Sequence, residues 1–169
     1  RIEPLDEPLT GALARHMAAL IPPGMPAPQL FLALARNEGL FAHMVDNKMI
    51  GPTGLMDRRF LPAKLRELVI LRTCVAAGCD YEFNLHVQTI SERMGLSSAQ
   101  IDDIRQPRPD VSLWTTDELS VIELIDLLVL RREVSDKTFA AVRQHHDDAV
   151  LIEIVHLVGL YNGVAMMVA

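Results

Sequence analysis

The chain has 169 residues, 50% of them apolar and 22% charged, which suffices for a compact domain with a sizeable core and excludes global disorder. Its 22 acidic side chains outnumber 16 basic ones, for a formal charge of −6, and no Lys/Arg cluster exceeds a pair; a nucleic-acid groove has no electrostatic basis, and nucleic acid is not an expected partner. Two cysteines, Cys74 and Cys79, exclude both a disulfide framework and a four-cysteine zinc site, so reduced thiols and a cytoplasmic location are expected.

Strand signals are missing: there is no long period-two alternation and no Asn-Gly or Asp-Gly hairpin, and Leu, Ala and Met outnumber strand formers, so the predicted class is all-α. Residues 1–20 carry Glu3, Asp6 and Glu7 and lack the apolar block of a signal peptide. A first helix is predicted over about 9–20, ending at Ile21-Pro22-Pro23-Gly24. Prolines 26 and 28 keep the chain extended until a second helix begins near Gln29, so residues 1–28 are assigned to an arm with one helix and 29–169 to the main helical domain. Within 29–49 a break is expected around Gly39, and Gly51-Pro52-Thr53-Gly54 predicts a loop.

Pro62 suits the first turn of a helix over about 62–77 that stops at Gly78, and a second should run from about 80 to 94, ending at Gly95. The connection is so short that the two form an antiparallel helical hairpin. Ser97 with Gln100 and Thr115 with Glu118 are capping-box patterns for helices to about Arg105 and Arg132, separated by Pro107 and Pro109. Ser135 caps a helix from 136 to about 145, and Asp147 or Asp148 opens the last one. That last segment nearly has the length of a membrane span, but Glu153, His156 and Asn162 would be costly in lipid; it is expected to be a buried or intersubunit helix, with no membrane partner.

Helical spacing puts Glu67, Leu71, Cys74 and Gly78 on one stripe, so a carboxylate sits among apolar neighbours and needs a partner, an arginine such as Arg66 or Arg72 or a histidine. Glu82 and His86 are four residues apart on the next helix, with Cβ atoms about 6 Å apart on one face. In that pair Glu82 orients the imidazole for acid–base work near neutral pH. Cys79 opens the same helix, where the dipole favours a thiolate. The position three residues on, where a C-x-x-C pair would place a second thiol, holds Glu82. Five residues of helix set Cys74 about 8 Å from Cys79, too far for a disulfide unless Gly78 turns the chain back. His145-His146-Asp147-Asp148 has ligand chemistry but not the spacing of a helical metal site, and no phosphate loop, dinucleotide fingerprint or serine elbow occurs, so no metal and no cofactor is expected.

Taken together, Leu65-Arg66-Glu67-Leu68-Val69-Ile70-Leu71-Arg72, Gly78-Cys79-Asp80-Tyr81-Glu82-Phe83-x-x-His86 and Gly95-Leu96-Ser97 resemble the core of the carboxymuconolactone decarboxylase and alkyl hydroperoxidase D superfamily, over about 30–105 and again near Tyr161-Asn162. The resemblance implies an all-helical domain built on the hairpin and assembled as a trimer or hexamer, with a small-molecule pocket near the hairpin. In the hydroperoxidase branch the motif is Glu, C-x-x-C, then His: Glu67, Cys79 and His86 match, and Glu82 replaces the second thiol. In the decarboxylase branch Glu67, Glu82 and His86 all fill their places, which favours non-redox acid–base chemistry, decarboxylation or proton transfer, on a small organic acid or lactone. On that reading His86 donates or shuttles the proton, Glu67 tunes or relays, Glu82 orients, and Tyr81 offers the substrate a phenol. The alternatives are a thiol peroxidase using Cys79, with Cys74, a partner protein or a small thiol as resolver, and a binding or assembly protein without chemistry.

Overall fold

The computed structural model describes residues 2–169, and these form nine α-helices with no strand among them. The chain divides into two compact units, one running through Arg58 and the other from Arg59 to Ala169. The division expected after residue 28 falls inside the first of these.

The first unit holds α1 (Gly11–Leu20), α2 (Gln29–Leu34) and α3 (Glu38–Asp46). Met17, Leu20, Leu32, Phe41, Met44 and Ile50 interlock as its core, in which α3 packs against both α1 and α2. The break between α2 and α3 lies at Asn37, whose side chain accepts the Leu40 amide at 3.1 Å, and Gly39 is inside α3. An N-cap satisfies a helix's unpaired amides, whereas a glycine only weakens the helix, so the cap decides the boundary.

The second unit comprises α4 (Ala63–Ala76), α5 (Asp80–Thr89), α6 (Ser98–Asp103), α7 (Thr116–Leu130), α8 (Asp136–Arg143) and α9 (Asp148–Val168). Helix α4 lies at its centre, packed on α5, α7 and α9. Every residue from Glu67 through Cys74 is buried, so α4 is enclosed on all sides rather than along one stripe. Enclosure forces its polar groups to find partners. Arg72 donates to both carboxylate oxygens of Asp126 on α7, at 2.7 and 2.6 Å, and to the carbonyls of Ile104 and Gln106, at 2.7 and 2.8 Å. This one guanidinium ties α4 to α7 and to the end of α6.

Both predicted capping boxes form, at Ser97/Gln100 and Thr115/Glu118. Ser135 and Asp147 cap α8 and α9 through the amides of Thr138 and Val150. The hairpin differs from expectation in one respect: α5 ends at Thr89, and residues 90–95 form turns. The amides of Ile90 and Ser91 both bond the His86 carbonyl, at 2.8 and 3.1 Å, which closes the helix early.

The connection between α4 and α5 is a Schellman turn. Gly78 has φ +68°, its amide bonds the Val75 carbonyl at 3.1 Å, and the Cys79 amide bonds the Cys74 carbonyl at 2.8 Å. A left-handed residue after the last helical turn suits glycine, and the turn sends α5 back alongside α4.

Candidate active site

The hairpin brings one histidine and two carboxylates together, and α9 adds a tyrosine. Glu67, fully buried on α4, faces His86 on α5, with Nδ1 3.0 Å from Oε1 and 3.2 Å from Oε2. The Ser91 hydroxyl, also fully buried, donates to Glu67 Oε1 at 2.6 Å. On the opposite edge of the ring, His86 Nε2 lies 3.4 Å from Glu82 Oε1 and 3.4 Å from the Tyr161 hydroxyl on α9. The Tyr161 ring meets the imidazole edge-on, with centroids 5.6 Å apart.

The buried partner of Glu67 is therefore the histidine, and Arg72 is committed to Asp126. Glu67 clamps Nδ1 with both oxygens, so it orients the ring, while Glu82 stands at Nε2. Glu82, the carboxylate expected to orient the ring, thus meets Nε2, and Glu67, expected to tune or relay, meets Nδ1. Glu82 is also left with an open valence: its Oε2 is buried and has no hydrogen-bond partner among the described residues.

Burial opposes a charged imidazole, but hydrogen bonds to Glu67 and Glu82, reinforced by their charges, outweigh it and raise the His86 pKa to about 9. Burial likewise pushes Glu67 up, yet the bond to His86, the charge on His86, the Ser91 hydroxyl and the charge of Arg66 leave it below the usual carboxylate range. At neutral pH the pair is thus an imidazolium on an ionised carboxylate, with an N–H at Nε2 directed between Glu82 and Tyr161. Burial raises the Tyr161 phenol well above its ordinary value, so it stays protonated.

Cys79 is the N-cap of α5, but burial raises its thiol pKa despite that position, and Cys74 is raised further for the same reason. Both thiols feel the charge of Glu82. They line a cavity of about 110 Å³ together with Gly78, Phe83 and Arg105. The Arg105 guanidinium stacks 3.7 Å over the Phe83 ring and bonds Asn84 at 2.8 Å and Asp80 at 3.2 Å. Tyr81 is 37% exposed on α5 and is not among the groups gathered around His86. No three His, Cys, Asp or Glu side chains among the described residues are arranged to hold a metal ion.

Sequence reasoning brought Glu67, Glu82 and His86 to one place but missed Ser91, Tyr161 and Arg105. Ser91 enters because α5 stops one turn early, and only helix packing brings residue 161 against residue 86. Arg105 could have been suspected from the short connections that fold α6 back toward the hairpin.

Residues 53–115 match the model of the carboxymuconolactone decarboxylase family. The match bears out the resemblance over the segment that holds Glu67, Cys79, Glu82, His86 and Ser91; Tyr161 lies beyond it. No curated protein and no solved structure matches the chain.

Proposed function

We propose that this carboxymuconolactone decarboxylase-like chain is a non-redox acid–base enzyme acting on a small organic acid or lactone. The observation that supports this most directly is the clamp of Glu67 on His86 Nδ1, which leaves a protonated Nε2 beside Glu82 and Tyr161. A proton held on one edge of a ring whose other edge is fixed is the arrangement a general acid needs.

For decarboxylation of a lactone acid, the bond from carbon to the departing carboxylate breaks. Carbon dioxide leaves, and the electron pair enters the conjugated carbonyl as a dienolate. The imidazolium and the Tyr161 hydroxyl are the donors suited to that charge, and His86 Nε2 returns the proton to carbon. The unsatisfied Oε2 of Glu82 is the acceptor for a substrate hydroxyl or for the proton that reloads the histidine. Cys79 has no assigned step, because burial keeps its thiol protonated and Glu82 stands where a second thiol would resolve it.

Assembly as a homo-oligomer is part of the proposal. Its support is the exposed apolar side chains of Ile152, Val155 and Met166 on α9. By length and composition α9 could also cross a membrane, but Glu153 and His156 within it weigh against a lipid-facing role. The two free thiols suit a reducing cytoplasm.

The test is mass-spectrometric screening of wild type, His86→Ala and Cys79→Ser in parallel against carboxylated lactones and organic hydroperoxides. Release of carbon dioxide by wild type and Cys79→Ser, lost in His86→Ala, supports the proposal. Catalytic turnover of hydroperoxide that depends on Cys79 refutes it.

A further inference from the structure

The cavity at the α4–α5 turn has a floor and a rim of different chemistry. Cys74, Cys79 and Phe83 form a buried floor that carries no charge, because burial keeps both thiols protonated. Gly78, Asp80 and Arg105 form an exposed rim. The charge of Arg105 is only partly matched there. Its Nη2 bonds the neutral Asn84 side chain at 2.8 Å, and its Nη1 bonds Asp80 at 3.2 Å. The Asp80 side chain is 84% exposed, so water screens that pair and keeps it weak. These bonds occupy two of the five N–H groups of a guanidinium, and the other three have no partner among the described residues. Stacking at 3.7 Å over Phe83, itself part of the floor, fixes the plane in which those donors lie.

We infer that this cavity binds a short, mainly apolar monocarboxylate, with its carboxylate held at the rim by Arg105 and its chain lying on the floor of Cys74, Cys79 and Phe83. A planar fork with free donors matches a carboxylate, and the neutral floor matches a hydrocarbon chain. Size sets the length. A cavity of about 150 Å³ accepts benzene, so one of about 110 Å³ takes a smaller body, a chain of about four carbons. A neutral lactone leaves the guanidinium without its counter-charge.

Cys79, Glu82, Phe83 and His86 sit at positions i, i+3, i+4 and i+7 of one helix face, so the floor and the imidazole belong to a single stripe of α5. Glu82 connects them: one of its oxygens lies 3.4 Å from His86 Nε2, and its charge is felt by both cavity thiols. An acid anchored at the rim therefore has its chain directed inward along the face that carries Glu82 and His86. Binding itself needs only the cavity and Arg105. That the bound acid is the substrate rests on the acid–base function proposed above, which it narrows from an acid or lactone to a short acid.

The full-length protein is titrated calorimetrically with sodium crotonate, a four-carbon acid, and with crotonamide, which keeps the shape and loses the charge. One-to-one binding of crotonate is expected, with crotonamide about tenfold or more weaker, the difference that charge-assisted hydrogen bonds make. Arg105→Gln should weaken crotonate by a similar factor and leave crotonamide nearly unchanged. Val75→Phe, which fills the cavity but keeps the guanidinium, should abolish binding of both; circular dichroism establishes that each variant is folded. In wild type the Arg105 Nε–H resonance should shift in NMR spectra as crotonate saturates, so a variant that fails to fold does not remove the test. No saturable crotonate binding by wild type, equal affinity for crotonamide, or an Arg105 resonance that stays fixed overturns the inference. None of these readouts involves turnover. Carbon dioxide release by a protein without this crotonate site would leave the acid–base function standing and the anchor refuted, whereas crotonate held by Arg105 in a protein inactive on every acid would sink the function and keep the site.

Discussion

The Ser91 hydroxyl donates to Glu67 Oε1 at 2.6 Å, across 24 residues of sequence and from a turn rather than a helix. Both groups are fully buried, so neither has water as a substitute. Ser91→Ala is expected to destabilise the protein by about 1–3 kcal/mol, the cost of leaving a buried acceptor short of a donor. Equilibrium urea unfolding checks this, and an unchanged midpoint would contradict the role given to Ser91.

Glu67→Gln removes the charge that holds His86 protonated but keeps the shape of the side chain. With burial then opposed by Glu82 alone, the His86 pKa should fall from about 9 toward neutrality, by about 1–3 pH units. Histidine-selective NMR titration reads this directly. A value that stays where it was would assign the elevation to some other group.

Stability should follow pH through the same pair. The His86 pKa is raised in the folded chain, from 6.5 to about 9, so its contribution is full below 6.5 and is lost as pH climbs through about 9. Glu67 is depressed below 4.5, so its contribution is present above 4.5 and is lost as pH falls through the folded-state value. Urea midpoints measured from acid to alkaline pH should form a plateau between those limits. His86→Ala should flatten the alkaline decline, and a wild-type curve with no such decline would count against the buried ion pair.

Arg72→Ala strips the carbonyls of Ile104 and Gln106 of their donor and leaves Asp126 without its bidentate partner. Asp126 is only half-buried, so losing the pair itself costs less than the ~3–5 kcal/mol of a fully buried one, but the orphaned carbonyls add to the loss. Calorimetry should show a large drop in Tm. Arg72→Lys should recover only part of it, because a single ammonium cannot reproduce a planar fork that reaches a carboxylate and two carbonyls together.

The helices were largely legible because their signals are local. A serine or threonine three residues ahead of Gln100 or Glu118 satisfies helix amides with atoms from the same short segment, and Gly78 stops α4 through its own backbone freedom. The end of α5 was less legible. Nothing in residues 90–94 breaks a helix as strongly as glycine or proline does, and the turn there is set by two amides converging on the His86 carbonyl. The partner of Glu67 was open among arginine and histidine for a related reason: spacing shows that a carboxylate is buried but not what lies across from it.

By itself, the sequence determined that the chain is helical, where most helices begin and stop, and that Glu67, Glu82 and His86 share one hairpin. Those outcomes depend on interactions within a few residues. Only the tertiary structure decided that Glu67 holds Nδ1 while Glu82 stands at Nε2, that Ser91 and Tyr161 join them, and that Cys74 and Cys79 share a cavity. Which edge of a ring meets which carboxylate depends on how α4, α5 and α9 pack. That packing is fixed by burying apolar surface across the whole unit, a non-directional force that no short stretch of residues records.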